Sequence, residues 1–537
     1  MGSRTTVKFA AAPLLLAASL SAQAAGSPAL STDEVVTRVI RAEAQFTRDL
    51  SRFRPVIETY LQFLDETPNH KSQVSGDAYF IGRLQGPELN FETFAPEKSS
   101  GFHILSFLKR LERFHLFPAG FARMTMLDPD NFDQSHYIFE NMHGEFVGEV
   151  RCVVLDVRPK DKEGRFVGRI WAEDRDFHIV RYSGTYASKY LVRYFHFNGY
   201  RQQMGPGLWL PSSIYVEHSF KHTRHGGIPE GLKAQVRLWS YGVSARGRSS
   251  TFTTIKIETP EASQDRSATD LSTTEALRQW KLEAETNVLE KMERAGLLAS
   301  EGEMEKILDA VLNNLLVTNK IVMAPAVHCR ILLTTPFESF SIGHSIVLSR
   351  GLIDVLPNEA TLAAVIAREL AGVLLGNDIE TLNAFHDRLF DDSKVFQQFS
   401  FRRSPQNEET ANRKALELLN SSPYKQSLTS IGLFLAALQA KAHVMPNLLK
   451  AFVGNPLEKN GRIALLPDLV NSAPPLAPQD LSQVSALPLA SRLRLEPWDN
   501  RAEVVNAKPV TILSLDEKLP FEVTPIVLSL RRQSGSR

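Results

Sequence analysis

The sequence predicts an α+β chain made of two unlike parts, an initial helix with an antiparallel sheet and then a mainly helical part with a small sheet. Three observations predict it. Apolar residues at helical spacing open the ordered chain at Thr32–Arg52. Short runs of alternating polarity then fill Val56 to Val243. After a polar stretch at Glu258–Thr274, apolar residues three and four apart return. With 537 residues, 43 % apolar and 23 % charged, the chain has ordinary globular composition and enough length for several domains. A net charge of +1 provides no basic field for a nucleic-acid partner.

The first residues read as a targeting segment. Arg4 and Lys8 precede a mostly apolar run from Phe9 to Leu20, and Ala22-Gln23-Ala24 offers small residues at a cut. This pattern describes a secretory signal peptide over residues 1–24, with a buried N-terminal helix as the alternative. The run is too short for a permanent membrane span, and no later segment reaches 18 uninterrupted apolar residues. The expectation is an exported protein, periplasmic or extracellular, with no transmembrane segment after signal removal. Two cysteines, Cys152 and Cys329, exclude a disulfide framework and a Cys-built zinc module. They could pair in an oxidising compartment, but two buried free thiols are the favoured reading.

Ser31 or Thr32 caps the first helix, with Asp33 and Glu34 in its first turn and Val35, Val39, Ala42 and Phe46 on one face. Strands follow at Glu149–Val157, Arg165–Trp171 and His178–Gly184, the first two joined by Lys160-Asp161-Lys162-Glu163-Gly164. Further runs at Leu191–Tyr200, Leu208–His218 and Leu232–Val243 complete an antiparallel sheet with one apolar and one wetter face. The basic run Lys221–Gly227 reads as a solvated hairpin tip. Helices are expected at Glu275–Ala295, stopped by Gly296, and at Glu301–Val317. Cys329–Thr334 reads as a strand, and Ser339–Ile353 as a second strand entering a turn. Asn358 caps a helix over Glu359–Leu375, which Gly376 ends. From about Asn455 the chain alternates Pro-rich loops and short strands, with an extended stretch at Ile512–Pro525. The division is therefore 1–24, 30–250, a linker at 251–274, 275–455, and a C-terminal extension over 456–537.

The helix followed by the sheet, with Gly168-Arg169-Ile170-Trp171, Ile179-Val180-Arg181 and Gly207-Leu208-Trp209-Leu210-Pro211, resembles the LolA/LolB-like lipoprotein-sorting fold. That resemblance implies a half-open barrel and an acyl chain as ligand. A sheet packed shut by its own Phe and Trp side chains is the other reading.

Residues 326–376 carry the second resemblance. Ala364-Val365-Ile366-Ala367-Arg368-Glu369-Leu370-Ala371-Gly372-Val373-Leu374-Leu375-Gly376, preceded by the Ser339–Ile353 strand and followed by Glu408-Glu409-Thr410-Ala411-Asn412, is similar to the zinc metallopeptidases of family M forty-eight, the CaaX-prenyl-protease and HtpX type. The family's HExxH places two imidazoles on one helical face to hold zinc, with the Glu between them activating water. Here Arg368 and Gly372 replace both histidines. Glu369 remains as a vestigial general base and Glu408 as a vestigial ligand, while Asn412 replaces the family's Asp. Arginine has no lone pair for a metal. The resemblance thus implies a lost zinc site and no cofactor. Arg368 would act as a charge substitute by pairing with Glu408. The strand Ile342-Gly343-His344-Ser345-Ile346-Val347-Leu348 would hold an extended substrate chain.

Three functional readings follow. The leading one is an exported pseudopeptidase that binds a polypeptide or envelope partner without cutting it. The second is an active envelope zinc metalloendopeptidase, which needs His344 or His386 as rebuilt ligands. The third is a lipid or lipoprotein carrier. No nucleophile elbow, P-loop, dinucleotide fingerprint or C-x-x-C is present.

Overall fold

The computed structural model describes residues 31–66, 72–85, 90–94, 118–160, 164–187, 194–219, 231–243, 273–376, 391–477, 493–496, 501–504, 523–526 and 528–532. The signal-peptide segment, the basic run at Lys221–Gly227, His386 and most of the linker lie outside these residues.

Helix α1 (Thr32–Leu50) starts where Ser31 accepts the Glu34 N–H through its hydroxyl at 3.2 Å. Strands β1 (Phe53–Glu66), β2 (Ser72–Gln85) and β3 (Asn90–Thr93) follow, then the short helix α2 (Pro118–Arg123). A meander completes the sheet: β4 (Tyr137–Val147), β5 (Val150–Pro159), β6 (Phe166–Glu173), β7 (Ile179–Tyr186), β8 (Tyr194–Gly205), β9 (Leu208–Ser219) and β10 (Gly231–Val243). The ten strands run in the order β3-β2-β1-β10-β9-β8-β7-β6-β5-β4, so β10 returns to lie against β1.

One face of this sheet takes α1. Val35, Val39, Phe46 and Leu50 pack on Ile57, Leu155, Ile170 and Ile214, and Phe121 of α2 joins them. Phe166, Tyr182 and Phe197 fill the same face, with Phe166 and Phe197 in edge contact at 5.9 Å. The face is packed shut over these residues. Arg201 of β8 forks to Glu43 of α1 at 2.6 and 2.8 Å and lies 3.5 Å over the Phe46 ring, a buried pair joining helix to sheet.

The opposite face is not simply wet, as its alternation suggested. At β1, β2, β9 and β10 it carries Val56, Tyr60, Tyr79, Tyr215 and Trp239 into one core with the second part of the chain. Trp239 Nε1 donates to the Gly296 carbonyl at 2.6 Å. Glu58 accepts the Thr335 N–H and hydroxyl at 2.6 and 2.8 Å. Asp77 accepts the backbone N–H groups of Asn447 and Leu448 at 3.0 and 2.8 Å.

The second part contains α3 (Thr273–Arg294), α4 (Glu303–Thr318), β11 (His328–Leu332), β12 (Glu338–Ile342), β13 (Ser345–Ser349), α5 (Arg350–Val355), α6 (Glu359–Leu374), α7 (Pro405–Asn420), α8 (Leu428–Lys441) and β14 (Asn455–Pro456). Helix α6 is buried from Ala360 to Gly372, as its nearly unbroken apolar sequence requires. The architecture is mixed α+β.

One expectation is corrected here. Residues Ile342–Leu348 are not one strand, because the Gly343-His344 turn, with Gly343 at φ +53°, folds them into a hairpin closed by Ile342 and Ser345. Both hairpin strands are interior in the order β11-β13-β12-β14. Cys152 and Cys329 are buried free thiols. The C-terminal stretch lies on the large sheet: Leu528 and Leu530 pack with Trp171 and Trp209, and Leu530 accepts the Glu149 N–H at 2.9 Å. Gly148 (φ +65°) permits this approach, since a Cβ there would lie 2.5 Å from the Leu530 nitrogen.

Candidate functional site

Asn358 caps α6 by accepting the Thr361 N–H, and the helix carries Arg368 and Glu369 into the centre of the second core. Both are fully buried. Ser404 caps α7 and Pro405 takes its first position, so Glu408 lies one turn inside the helix and Arg403 just before it. Strand β12 brings Ser339 alongside, and β14 brings Asn455.

These elements assemble a cluster of two arginines and two glutamates. Arg368 Nε donates to Glu408 Oε1 at 2.5 Å, and its Nη2 lies against the same oxygen. Arg403 spans both acids: its Nη1 and Nη2 fork onto Glu369 at 2.7 and 3.1 Å, and its Nε donates to Glu408 Oε2 at 2.9 Å. Ser339 Oγ donates to Glu369 Oε1 at 2.7 Å, and Asn455 Nδ2 reaches Glu369 Oε2 at 3.4 Å. Arg368 Nη2 also meets the Pro456 carbonyl at 3.3 Å. Burial pushes the Glu369 carboxyl up, but the Arg403 and Arg368 charges outweigh it and hold the group below its ordinary range. The same carboxylates raise Arg403 against its own burial. Glu408, at 18 % side-chain exposure, opens the cluster toward solvent.

The zinc ion implied by the peptidase resemblance does not fit this donor set. All four carboxylate oxygens already accept a donor, and a divalent cation there would meet two guanidinium charges. Gly372, where the peptidase resemblance would place a second histidine, is buried on α6 one turn beyond Arg368. Asn412, in place of the family's Asp, joins α7 to the segment after β14. Its Nδ2 donates to the Ala464 carbonyl at 2.8 Å and its Oδ1 accepts the Leu466 N–H at 3.0 Å. An aspartate offers only acceptors and could not make the first bond.

The weaker candidate ligands do not join this cluster among the described residues. His344 caps the β12–β13 turn, where its backbone N–H and Nδ1 face Glu285 of α3 at 3.0 and 3.4 Å. It lines a separate cavity of about 300 Å³ with Arg278, Glu285, Pro325 and Val373. Among the described residues no group of three His, Cys, Asp or Glu side chains is placed to hold a metal ion. The strand-addition role of Ile342–Leu348 is likewise corrected. Strand β13 is paired by β11 and β12, β14 pairs with β12 at Glu338 and Ser339, and Leu297–Ala299 bonds to the outer side of β11.

The sequence reading missed Arg403, Ser339 and Asn455. The signal that could have found Arg403 is its place immediately before the Ser404-Pro405 helix start, five residues from Glu408.

Glu338, beside Ser339, fixes the β14 approach by accepting the N–H groups of Phe452, Val453 and Gly454 at 3.0, 3.1 and 2.9 Å. Burial raises its carboxyl to about 6 despite these donors. The folded state therefore holds this proton more tightly than the unfolded chain. Its contribution to stability is whole below pH 4.5 and is lost as pH rises through about 6. Glu338→Gln should remove about 2 kcal/mol of that pH dependence. Urea unfolding of both proteins from pH 4 to 8 checks it, and the difference between the curves isolates Glu338 from Glu58 and Asp77, which burial also raises.

No family model matches the chain, and no curated protein does. Solved structures are similar to part of it. A DUF1329 family protein from Desulfovibrio piger is 13 % identical over 40 % of this chain and 95 % of its own, with a TM-score of 0.21. A LolA superfamily protein from Nitrosomonas europaea is 9 % identical over 39 % of this chain and 93 % of its own, also at 0.21. MucB from Pseudomonas aeruginosa, in its complex with MucA, is 10 % identical over 38 % of this chain and 92 % of the matched chain, at 0.14. The fold stands on its own strand order, to which TM-scores this low add nothing. Among the described residues no helix is long and apolar enough to cross a membrane.

Proposed function

We propose that this chain is an exported, catalytically silent relative of the family M forty-eight metallopeptidases and works by holding a polypeptide partner without cutting it. The observation that carries the silent part is the double arginine. Arg368 and Arg403 supply the positive charge that a peptidase of this type draws from its metal, and they saturate both remaining carboxylates. Glu369 cannot serve as a general base from there, since its carboxylate is fully buried and spends its lone pairs on Arg403, Ser339 and Asn455. What remains is a peptidase-like frame with a rigid, neutral plug at its former centre. The aromatic filling of the α1 face leaves the acyl-chain reading without a groove over the described part of that face.

Elemental analysis of the purified chain, beside a casein-cleavage assay, tests the proposal. The expected result is near-zero zinc and no cleavage. About one zinc per chain, with cleavage that Glu369→Gln abolishes, would overturn it.

A further inference from the structure

The polypeptide-binding half of the proposed function needs a surface, and the peptidase-like sheet offers none, because its edges are occupied. The large sheet offers one that the chain itself already fills. Away from the seam, Val154 of β5, Trp171 of β6 and Trp209 of β9 alternate with Leu155, Ile170 and Leu210 of the α1 face, so they lie on the second face. With Cys152 and Tyr200 they form an apolar group separate from both larger cores. Left in water, such a patch would be costly. Its cover is neither helix nor strand but the chain at residues 526–532.

The side chains of this strap match what lies under them. Leu528 and Leu530 are buried in the group, Ser529 between them is exposed, and Ile526 packs half-buried beside them. That is the period of two of an extended chain laid with one side down. Arg532 then forks over the end of β6, with Nη1 on Glu173 at 2.8 Å and Nη2 on Asp174 at 2.9 Å. Glu173 is fully buried and also accepts the Asp176 N–H at 2.7 Å. Asp174 has the Arg151 guanidinium at 3.9 Å, so Arg532 is its closer cation.

The strap is laid on the sheet and not woven into it. Val523 donates its N–H to Gln62 Oε1 of β1 at 2.8 Å, and Leu530 meets Glu149 between β4 and β5, so the chain crosses the strands. It belongs to none of the ten strands. Among the described residues one main-chain bond ties it to the sheet, from the Glu149 N–H to the Leu530 carbonyl at 2.9 Å. Its hold is side-chain burial plus the arginine contacts at its end, with Arg531 Nε 3.5 Å from Glu149. Another segment with the same side chains can supply both, and lifting the strap breaks no ladder.

Resting on the polypeptide-holding reading, we propose that the surface at Trp171 and Trp209 is a groove for an extended partner segment in which aliphatic residues alternate and arginine follows, and that residues 526–532 occupy it in cis as an internal stand-in. The partner segment binds by displacing the strap. Its aliphatic side chains take the places of Leu528 and Leu530, and its arginine meets Glu173 and Asp174. Occupancy in cis closes the groove to poorly matched segments, because a competitor must outbind a tethered one.

Cys152 reports on the strap. It is buried in the same group, where the Arg532 charge acts on its thiol, whereas Cys329 is buried in the core of the second part. The probe is a fluorescent peptide with the sequence of residues 523–532, and the control peptide has Asp in place of both leucines. Each is titrated by anisotropy against the full wild-type chain and full-length Leu530→Asp, and maleimide labelling of each cysteine is followed by mass spectrometry. In Leu530→Asp, Cys152 should label at least tenfold faster than in the wild type, with Cys329 unchanged. The probe should bind this variant at least tenfold more tightly than the wild type and protect Cys152 again, while the control binds neither chain. Arg532→Glu, on a part-exposed side chain, should also speed Cys152 labelling. Labelling of Cys152 unchanged in both variants, probe binding no tighter to Leu530→Asp, or equal binding of probe and control overturns the proposal. So does loss of the sheet's circular dichroism in Leu530→Asp, which would make the strap part of the core. A wild-type dimer that Leu530→Asp dissolves overturns it too, giving the groove to the strap of a second copy. Failure here with zinc absent leaves the silent reading without this groove, whereas zinc with cleavage overturns the silent reading and leaves the groove untouched.

Discussion

Arg403→Met is expected to cost about 3–5 kcal/mol of folding stability, because it leaves the fully buried Glu369 and the partly exposed Glu408 against one cation. Arg403 is 3 % exposed at its side chain and, among the described residues, hydrogen-bonds both Glu369 and Glu408, whereas Arg368 bonds Glu408 and lies 3.6 Å from Glu369. Glu369→Gln should cost a similar amount for the mirror reason, leaving Arg368 and Arg403 with Glu408 alone. The two losses should not add. The double variant again has equal numbers of positive and negative groups, so its cost should fall short of the sum by at least about 2 kcal/mol. Urea unfolding of the wild type, both single variants and the double variant closes the cycle. Additive losses would mean that the two side chains act separately, against the bidentate geometry. Acid should weaken the cluster as well. The Glu369 carboxyl is held below its ordinary range, so its contribution is whole above that range and is lost as pH falls through the folded value. That sign is opposite to the one expected for Glu338.

Trp239→Ala is expected to be comparably damaging, at about 3–5 kcal/mol, and to destabilise both parts of the chain together. Trp239 is 2 % exposed on β10, yet its ring belongs to the core of the second part and its Nε1 bonds the Gly296 carbonyl. Gly296 itself has φ +76°, and a Cβ there would lie 2.4 Å from Ser240 Oγ, so backbone and indole meet at a seam with no spare room. Arg83 reaches across the same seam to the Ala295 carbonyl at 2.8 Å. Differential scanning calorimetry should show the main transition of the whole chain moved down. A shift confined to one of two resolved transitions would show instead that the sheet and the helical part unfold independently.

Much of the local structure was legible in the sequence. The α6 helix starts at the Asn358 cap and ends before Gly376, whose φ is +71°, because caps and stop residues act within one turn. The α1 helix follows from the spacing of Val35, Val39 and Phe46 in the same way. That Arg368 and Gly372 can hold no metal needed no structure, since a metal cannot use either side chain. The Ile342–Leu348 hairpin is marked in the sequence by Gly343-His344-Ser345, which interrupts the apolar residues, and reading the segment as one strand overlooks that signal.

The sequence by itself determined the element types, the order of sheet before helices and the absence of a metal-binding side chain at Arg368 and Gly372, because each depends on residues within a turn or a strand of one another. The sequence offered Arg368 as the partner of Glu408, but only the tertiary structure brought Arg403 to both Glu369 and Glu408. Arg403 reaches Glu369 from 34 positions away, and Asn455 from 86. It also decided that the second face of the large sheet is covered at β1, β2, β9 and β10 and that, among the described residues, β4 pairs with β5 alone. The physical reason is that side-chain pairing and edge coverage are set by which surfaces the chain brings together over long separations, and hydrophobic periodicity says that a face will be buried without saying by what.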